Sequence, residues 1–251
     1  MSDLIVERDG GHKKVRFNRP DQRNALGTGA VEWMLEILAE SETDGTRLLE
    51  LSGEGRNFCA GFDLSDLDSQ SEGDLLLRFV RVEQMLQAVH HAPFHTLALA
   101  HGKVVGAGAD LVLACRSRVA APDTLFEMPG AGFGLILGTR RLATTVGQDA
   151  ALDLLAGPFD AEKAKASGFV QDIAVQENWP AVSARTLAVA TRLAPVTERA
   201  MLSALRSDSR AADLADLVVS AARPGIKQRI AAYAESRKIA AYAAGRKGGS
   251  K

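Results

Sequence analysis

His101-Gly102-Lys103-Val104-Val105-Gly106-Ala107-Gly108-Ala109-Asp110-Leu111 follows an apolar run, Thr96 to Ala100, and leads into helix formers that end at Ala114. These residues read as a buried strand, a loop of glycines and small side chains, and a helix. Glycine admits positive φ and lets another backbone approach closely. The first N–H groups of a helix lack intrahelical partners and sit at the positive end of its dipole. Upstream, Asn57-Phe58-Cys59-Ala60-Gly61-Phe62-Asp63-Leu64 follows a second apolar run, Leu48 to Leu51, in the same order. Either loop alone reads as a tight turn with helix–sheet packing. Together, converging from neighbouring strands, they can aim two N–H groups at one developing oxyanion. Gly106-x-Gly108 also opens like a dinucleotide fingerprint, but position 111 is Leu where a third glycine is needed.

Outward from these loops, strands and helices alternate. Leu4 to Val6 and Val15 to Phe17 are β-prone runs around Asp9-Gly10-Gly11, a hairpin signal. Asn18 to Asp21 reads as a turn. Thr28 is placed to cap a helix running to about Glu40, with Val31, Met34, Leu35 and Leu38 on its apolar face. Helical spacing returns from Asp74 to His91 and stops before Pro93. Arg118 to Ala121 and Thr124 to Phe126 read as strands, and Gly130 to Gly134 as a loop. Beyond Gly138 the chain is mostly helical, with breaks at Gly157-Pro158, Gly168, Pro180, Pro195 and Pro224; Phe169 to Val175 is the one late β-prone piece. The pattern predicts an α/β fold: a parallel-rich sheet covered by helices, then a helical C-terminal section.

Composition narrows the function. The 251 residues carry 30 Lys and Arg against 31 Asp and Glu, a net charge of -1, which excludes a broadly basic nucleic-acid binder. Charge is uneven: from Arg223 to Lys251 eight basic residues accompany one acid, Glu235, leaving 22 and 30 upstream. That end reads as a solvated helix with a frayed tail, or as a positive patch for a phosphorylated ligand. Two cysteines, Cys59 and Cys115, exclude a disulfide scaffold and suit a reducing compartment. No apolar run reaches the roughly 18 residues a membrane helix needs, and no spacing matches a metal site. A soluble cytoplasmic protein, with neither nucleic acid nor membrane as partner, is the expectation.

Five motifs stand in one order: Asn18-Arg19-Pro20 with Asn24-Ala25-Leu26; Phe58 to Leu64; the Gly102/Gly106/Gly108 loop; Gly138-Thr139-Arg140-Arg141-Leu142; and Ala161-Glu162-Lys163-Ala164 with Gly168-Phe169-Val170. In this combination the chain resembles the crotonase (enoyl-CoA hydratase/isomerase) superfamily, from the N-terminal hairpin to about Val175. The resemblance implies a spiral of ββα units over residues 1–195 and a C-terminal helical region, 196–251, that covers coenzyme A and joins subunits as a homotrimer or dimer of trimers. It implies an acyl-CoA thioester substrate, with coenzyme A as part of the substrate and no permanently bound cofactor. Carried over by motif, the oxyanion hole falls on the N–H groups of Phe62 and Ala107. The nucleotide would lie along Ala60, Gly61, Phe62, Asp63 and Leu64, near Ala25. Arg23 matches a position often basic in the family; it reads equally as an exposed loop arginine.

Two departures fall at the acyl end. Family hydratases use two glutamates; the first position is Asp110 here, and the second is Gly130 in Phe126-Glu127-Met128-Pro129-Gly130. Asp110 reads evenly as a proton carrier or as an acid that steadies its helix. Strand alternation aims Glu127 away from Gly130, giving it a structural role. His90 and His91, at a helix end, suit the dipole as imidazolium; His95 and His101 read as structural. Tyr233 and Tyr242 read as helix packing. The expectation is an acyl-CoA enzyme of the hydratase/isomerase type, with ordinary hydration impaired. The alternatives are a non-catalytic acyl-CoA-binding protein and a nucleotide-dependent oxidoreductase.

Overall fold

The computed structural model describes residues 2–236. The basic tail at 237–251, Tyr242 included, lies outside the described residues. Strands β1 (Leu4–Asp9) and β2 (His12–Phe17) form the expected antiparallel hairpin, closing at Asp9 opposite His12. Gly10 supplies the positive φ of the turn, +55°. Helix α1 (Thr28–Ser41), strand β3 (Leu48–Gly53) and helix α2 (Glu72–His90) follow. The chain then repeats a unit of long strand, short strand and helix. The next unit is β4 (His95–Ala100), β5 (Lys103–Val105) and α3 (Ala107–Ala114). After it come β6 (Ser117–Ala120), β7 (Leu125–Glu127), a 3₁₀ turn (Pro129–Phe133), α4 (Thr139–Val146) and α5 (Gln148–Leu155). Strand β8 (Phe159–Asp160), helix α6 (Ala161–Ala166) and strand β9 (Asp172–Ile173) complete the spiral.

The units wind so that long strands join one sheet, β1-β2-β3-β4-β6-β9, and short strands another, β5-β7-β8. From β2 to β9 the large sheet is parallel. Its central strands are buried on both faces, which is why they read as unbroken apolar runs. Alternation sorts them: Leu49, Leu51, Ala98 and Ala100 enter the main core with α1, α2 and α3. Leu48, Leu97, Leu99 and Val119 turn the other way, onto Val182 of α7 (Trp179–Ala190). Helix α8 (Pro195–Ala204) is tied to the N-terminal ends of β3 and β4 by Glu198, which takes Arg47 at 2.7 Å and His95 at 2.9 Å.

Some local expectations need correction. Thr28 does not cap α1: Gly27 holds that position, without a side-chain bond. Side-chain caps occur instead at α2, where Ser71 and Asp74 bond each other's backbone reciprocally, and at α6, where Asp160 accepts Lys163 N–H. The breaks at Pro180 and Pro195 do occur, each proline standing in the first turn of the next helix, where it loses no helical hydrogen bond. Of Phe169 to Val175 only Asp172–Ile173 is strand; Phe169 and Val170 are core side chains at the end of α6. Strand β5 escaped the reading because three residues between glycines give no periodicity.

Helix α9 (Arg210–Ala221) and the helix over 226–236 lie across α2. Leu217, Ala221, Ile226 and Ile230 form a second core with Leu75, Phe79 and Leu135. This helical layer roofs the cavity described next.

Candidate active site

The two glycine loops are in backbone contact. Gly61 has φ +81°, and a Cβ there would lie 2.3 Å from the Val105 carbonyl oxygen and 3.1 Å from the Ala107 amide nitrogen. A Cβ on Gly108 would lie 2.4 Å from the Cys59 carbonyl oxygen. Real Cβ atoms do not come that close, so both positions need glycine. Leu26 sets the direction of the first loop. Its N–H donates to Gly61 O at 2.7 Å and its carbonyl accepts Asp63 N–H at 3.2 Å, a parallel bridge. In such a bridge the residue between, Phe62, turns its own N–H and C=O away. Ala107 opens α3, where an N–H has no intrahelical acceptor. Among the described residues neither N–H has a partner.

Phe62 and Ala107 both line a cavity of about 310 Å³. Phe79, Phe133, Leu135, Leu137 and Ile230 give it an apolar wall, and Asp110, Glu127, Thr139 and Tyr233 bring the protic groups. Asp110 is 3% exposed, and its Oδ1 has no hydrogen-bond donor. Gly138 packs directly on this carboxyl; a Cβ there would collide with Oδ1. Burial pushes the Asp110 carboxyl well above the usual carboxylate range. Arg141 pulls it down and Glu83 raises it further, but burial dominates. The acid therefore keeps its proton more firmly than one in water.

Gly130 lines the same cavity. A Cβ there would meet only the Leu135 carbonyl, at 3.3 Å, so the backbone does not demand glycine. Glu127 was expected to face away, and it does not. Strand β7 ends at Glu127, and Pro129 starts a 3₁₀ turn, so alternation stops between residues 127 and 130. Tyr233 also faces the cavity rather than only packing its helix, with its hydroxyl 3.4 Å from Glu127 Oε1. Sequence reasoning missed this pair, since the two residues meet only through the C-terminal roof.

The residues expected to bind a nucleotide are brought together. Ala60 N–H donates to Arg23 O at 2.9 Å, which places Arg23 and Ala25 beside the segment from Ala60 to Leu64. Arg23 is exposed and holds a left-handed backbone, φ 53°. The Asp63 side chain is taken up within the protein. It pairs with Arg19 at 2.9 Å and accepts Ser65 N–H, and these bonds hold its carboxyl below the usual range against the effect of burial. Arg78 lies over the Phe62 ring, 4.3 Å from its centroid, and donates to the Asp63 carbonyl. It braces this loop from α2, a contact between residues too distant in sequence for spacing to reveal.

The other polar candidates sort cleanly. His95 bonds Glu198 and His101 bonds the Gly55 carbonyl, both structural as expected. His90 departs from expectation. Burial, then Arg206 and Arg141, push its imidazole down to about 2, so it is neutral rather than imidazolium. Cys59 and Cys115 are buried thiols pushed up to about 12 by burial. Among the described residues no cluster could hold a metal, and no helix is long and apolar enough to cross a membrane.

Comparison with known proteins bears on this geometry. The family model for enoyl-CoA hydratase/isomerase matches residues 7–240. A Bacillus subtilis protein named as an enoyl-CoA hydratase is 31% identical over 230 residues, covering 86% of this chain and 89% of that protein. A Mycobacterium leprae protein of the same name is 34% identical over 174 residues, and the match spans 66% of this chain and 65% of that protein. A Bordetella parapertussis crystal structure of the enoyl-CoA hydratase/isomerase type superposes with a TM-score of 0.91 and 46% identity, covering 93% of this chain and 98% of the other.

Proposed function

The chain belongs to the enoyl-CoA hydratase/isomerase family, and we propose that it is an acyl-CoA enzyme in which Phe62 and Ala107 hold a thioester enolate and Asp110 carries the proton. The observation that supports this best is the forced contact between the two loops. It leaves two unpartnered N–H groups facing a cavity whose most buried acid is Asp110. An oxyanion between fixed donors in a site sealed from water is stabilised far more than in solution.

The acyl group enters the apolar cavity. The nucleotide of coenzyme A lies along Ala60 to Leu64, with Ala25 beside it and Arg23 toward the phosphates. Coenzyme A comes and goes with the substrate, and no permanent cofactor is required. In the form that has given up its own proton to solvent, Asp110 takes a proton from one substrate carbon as negative charge collects on the thioester oxygen. It then returns that proton to another carbon. Its raised proton affinity makes the ionised form a stronger base than a solvated carboxylate, which suits a carbon acid. Gly130 offers no carboxylate at the second family position, and Glu127 on the same wall is bonded to the Tyr233 hydroxyl, so double-bond migration is favoured over hydration. Exposed Leu152, Val196 and Val219 support the assembly of subunits, as a trimer or dimer of trimers.

A panel of 2-enoyl, 3-enoyl and dienoyl thioesters of coenzyme A, followed at the thioester ultraviolet band, tests this reading. The expected result is double-bond migration with deuterium uptake from heavy water and little hydration of crotonyl-CoA. Efficient hydration would overturn the one-acid mechanism. Tight binding of every ester without exchange would leave a non-catalytic acyl-CoA-binding protein. Binding of NAD and of no ester would leave a nucleotide-dependent oxidoreductase.

A further inference from the structure

The C-terminal end of α3 faces a second cavity, of about 230 Å³, whose wall carries four arginines: 118, 140, 141 and 206. Their charges are unequally answered. Arg140 pairs with Asp213 at 2.9 Å and Asp216 at 2.6 Å. Arg118 donates to the carbonyls of Phe169, Cys115 and Gly168, and no carboxylate pairs with it among the described residues. Arg141 is 4% exposed; it gives Nη2 to Glu83, while its Nε and Nη1 have no partner. Arg206 has neither an ion pair nor a side-chain hydrogen bond among the described residues, and Arg116 and Arg118 crowd it with like charge. Of the nearby acids, Glu83 and Asp110 flank Arg141 alone, Asp208 binds Arg210 at 2.6 Å, and Asp213 binds Arg140 and Ser209, so none of them answers Arg206.

A buried carboxyl or imidazole escapes this situation by becoming neutral. Arginine cannot, because it stays protonated in proteins. Like charges gathered in a half-buried cavity therefore call for a counter-ion. The planar guanidinium fork matches an oxyanion by two parallel hydrogen bonds. The Ser207 hydroxyl stands in the same wall, and Ser209, at the start of α9, adds the positive end of a twelve-residue helix. The cavity is smaller than the roughly 300–1,000 Å³ typical of organic ligand sites.

We propose that this cavity binds a small oxyanion of the phosphate class, gripped by Arg206 and Arg141 with Ser207 beside them. It lies a helix length, about 12 Å, from the oxyanion N–H of Ala107, and it shares no lining residue with the acyl cavity. Burial first, and then the crowding of like charge, lowers Arg206 to about 9 and strips His90 of its proton; entry of such an ion relieves the crowding.

Thermal melting of the whole chain in inorganic phosphate, against chloride of equal ionic strength, tests the site. A parallel arm with glycerol 3-phosphate distinguishes a free ion from an esterified head group. The native protein should show a saturable rise in melting temperature with phosphate. Arg206→Met should melt higher than the native chain in chloride, because like-charge repulsion is relieved, and should need at least tenfold more phosphate for any response. Phosphorus NMR of inorganic phosphate with the native protein, read as broadening of the phosphate line that added sulfate reverses, reports binding even where the variant folds poorly. A native protein that does not distinguish phosphate from chloride overturns the proposal. So does an Arg206→Met variant that scatters light as a smaller species, because a partner subunit's carboxylate would then be the counter-charge.

Discussion

Helix α3 has a different electrostatic problem at each end. At its N-terminus Asp110 is sealed beneath Gly138 against an apolar cavity. At its C-terminus His90 and four arginines surround a polar one. Burial acts on both ends in the same way, penalising charge. Asp110 answers by holding its proton and His90 by losing one, so each becomes neutral from the opposite direction. The arginines have no such recourse. On the proposed mechanism the first end stays neutral until charge develops during reaction. The second carries a standing charge that the proposed anion would answer.

Asp110→Asn probes this contrast most strongly. Proton exchange at the substrate's α- or γ-carbon should fall about 10²–10⁴-fold. Stability should move the other way. The unfolded chain releases this proton near pH 3.8, whereas the folded chain keeps it well above that pH. In that window native stability falls as pH rises, and asparagine removes the loss. A higher melting temperature at pH 7 with lost exchange is expected. Lost exchange with a lower melting temperature would show that the carboxyl is ionised at rest, and the contrast would fail.

Ala107→Pro tests the same end without touching its charge. Proline fits the first position of a helix but removes the N–H. Turnover should drop about 10²–10³-fold with the fold retained by circular dichroism. Normal turnover would remove Ala107 from the site.

His90→Asn gives the smallest effect and tests the other end. The unfolded imidazole takes up a proton below about 6.5, while the folded one stays neutral down to about 2. The native chain should therefore lose stability as pH falls below 6.5, by about 1.4 kcal/mol per pH unit relative to the variant. Denaturant unfolding at pH 7 and pH 5 reads the difference. Parallel pH profiles would mean that His90 is not kept neutral by its surroundings.

The N-terminal end of α3 was largely legible in the sequence, and the C-terminal end was not. Gly61, Gly106 and Gly108 mark close backbone approach in any fold, so the loops named their own contact. Leu48 to Leu51 and Thr96 to Ala100 announced doubly buried strands by their unbroken apolarity. The arginine cavity draws His90 from α2, Arg118 from β6, Arg141 from α4 and Arg206 from the loop after α8. No local pattern links residues so scattered, and each alone reads as a surface charge. Glu127 was misread for a different reason: period-two alternation was carried past a proline that ends the strand. Tyr233 reaches the cavity only because α9 and the helix after it fold back over α2.

The contact between Gly61 and the amide of Ala107 also has a kinetic meaning. These residues are far apart in sequence, and they meet only after β3, β4 and the short strands have paired in parallel. Parallel pairing closes long loops before it gains contacts, so it forms slowly. The pair of amides therefore exists only in chains whose central sheet is finished. During refolding, recovery of enolate stabilisation should lag behind helix formation and coincide with the last protection of the β4 amides from hydrogen exchange. On the proposed mechanism, a partly folded chain would have helices but no enolate stabilisation.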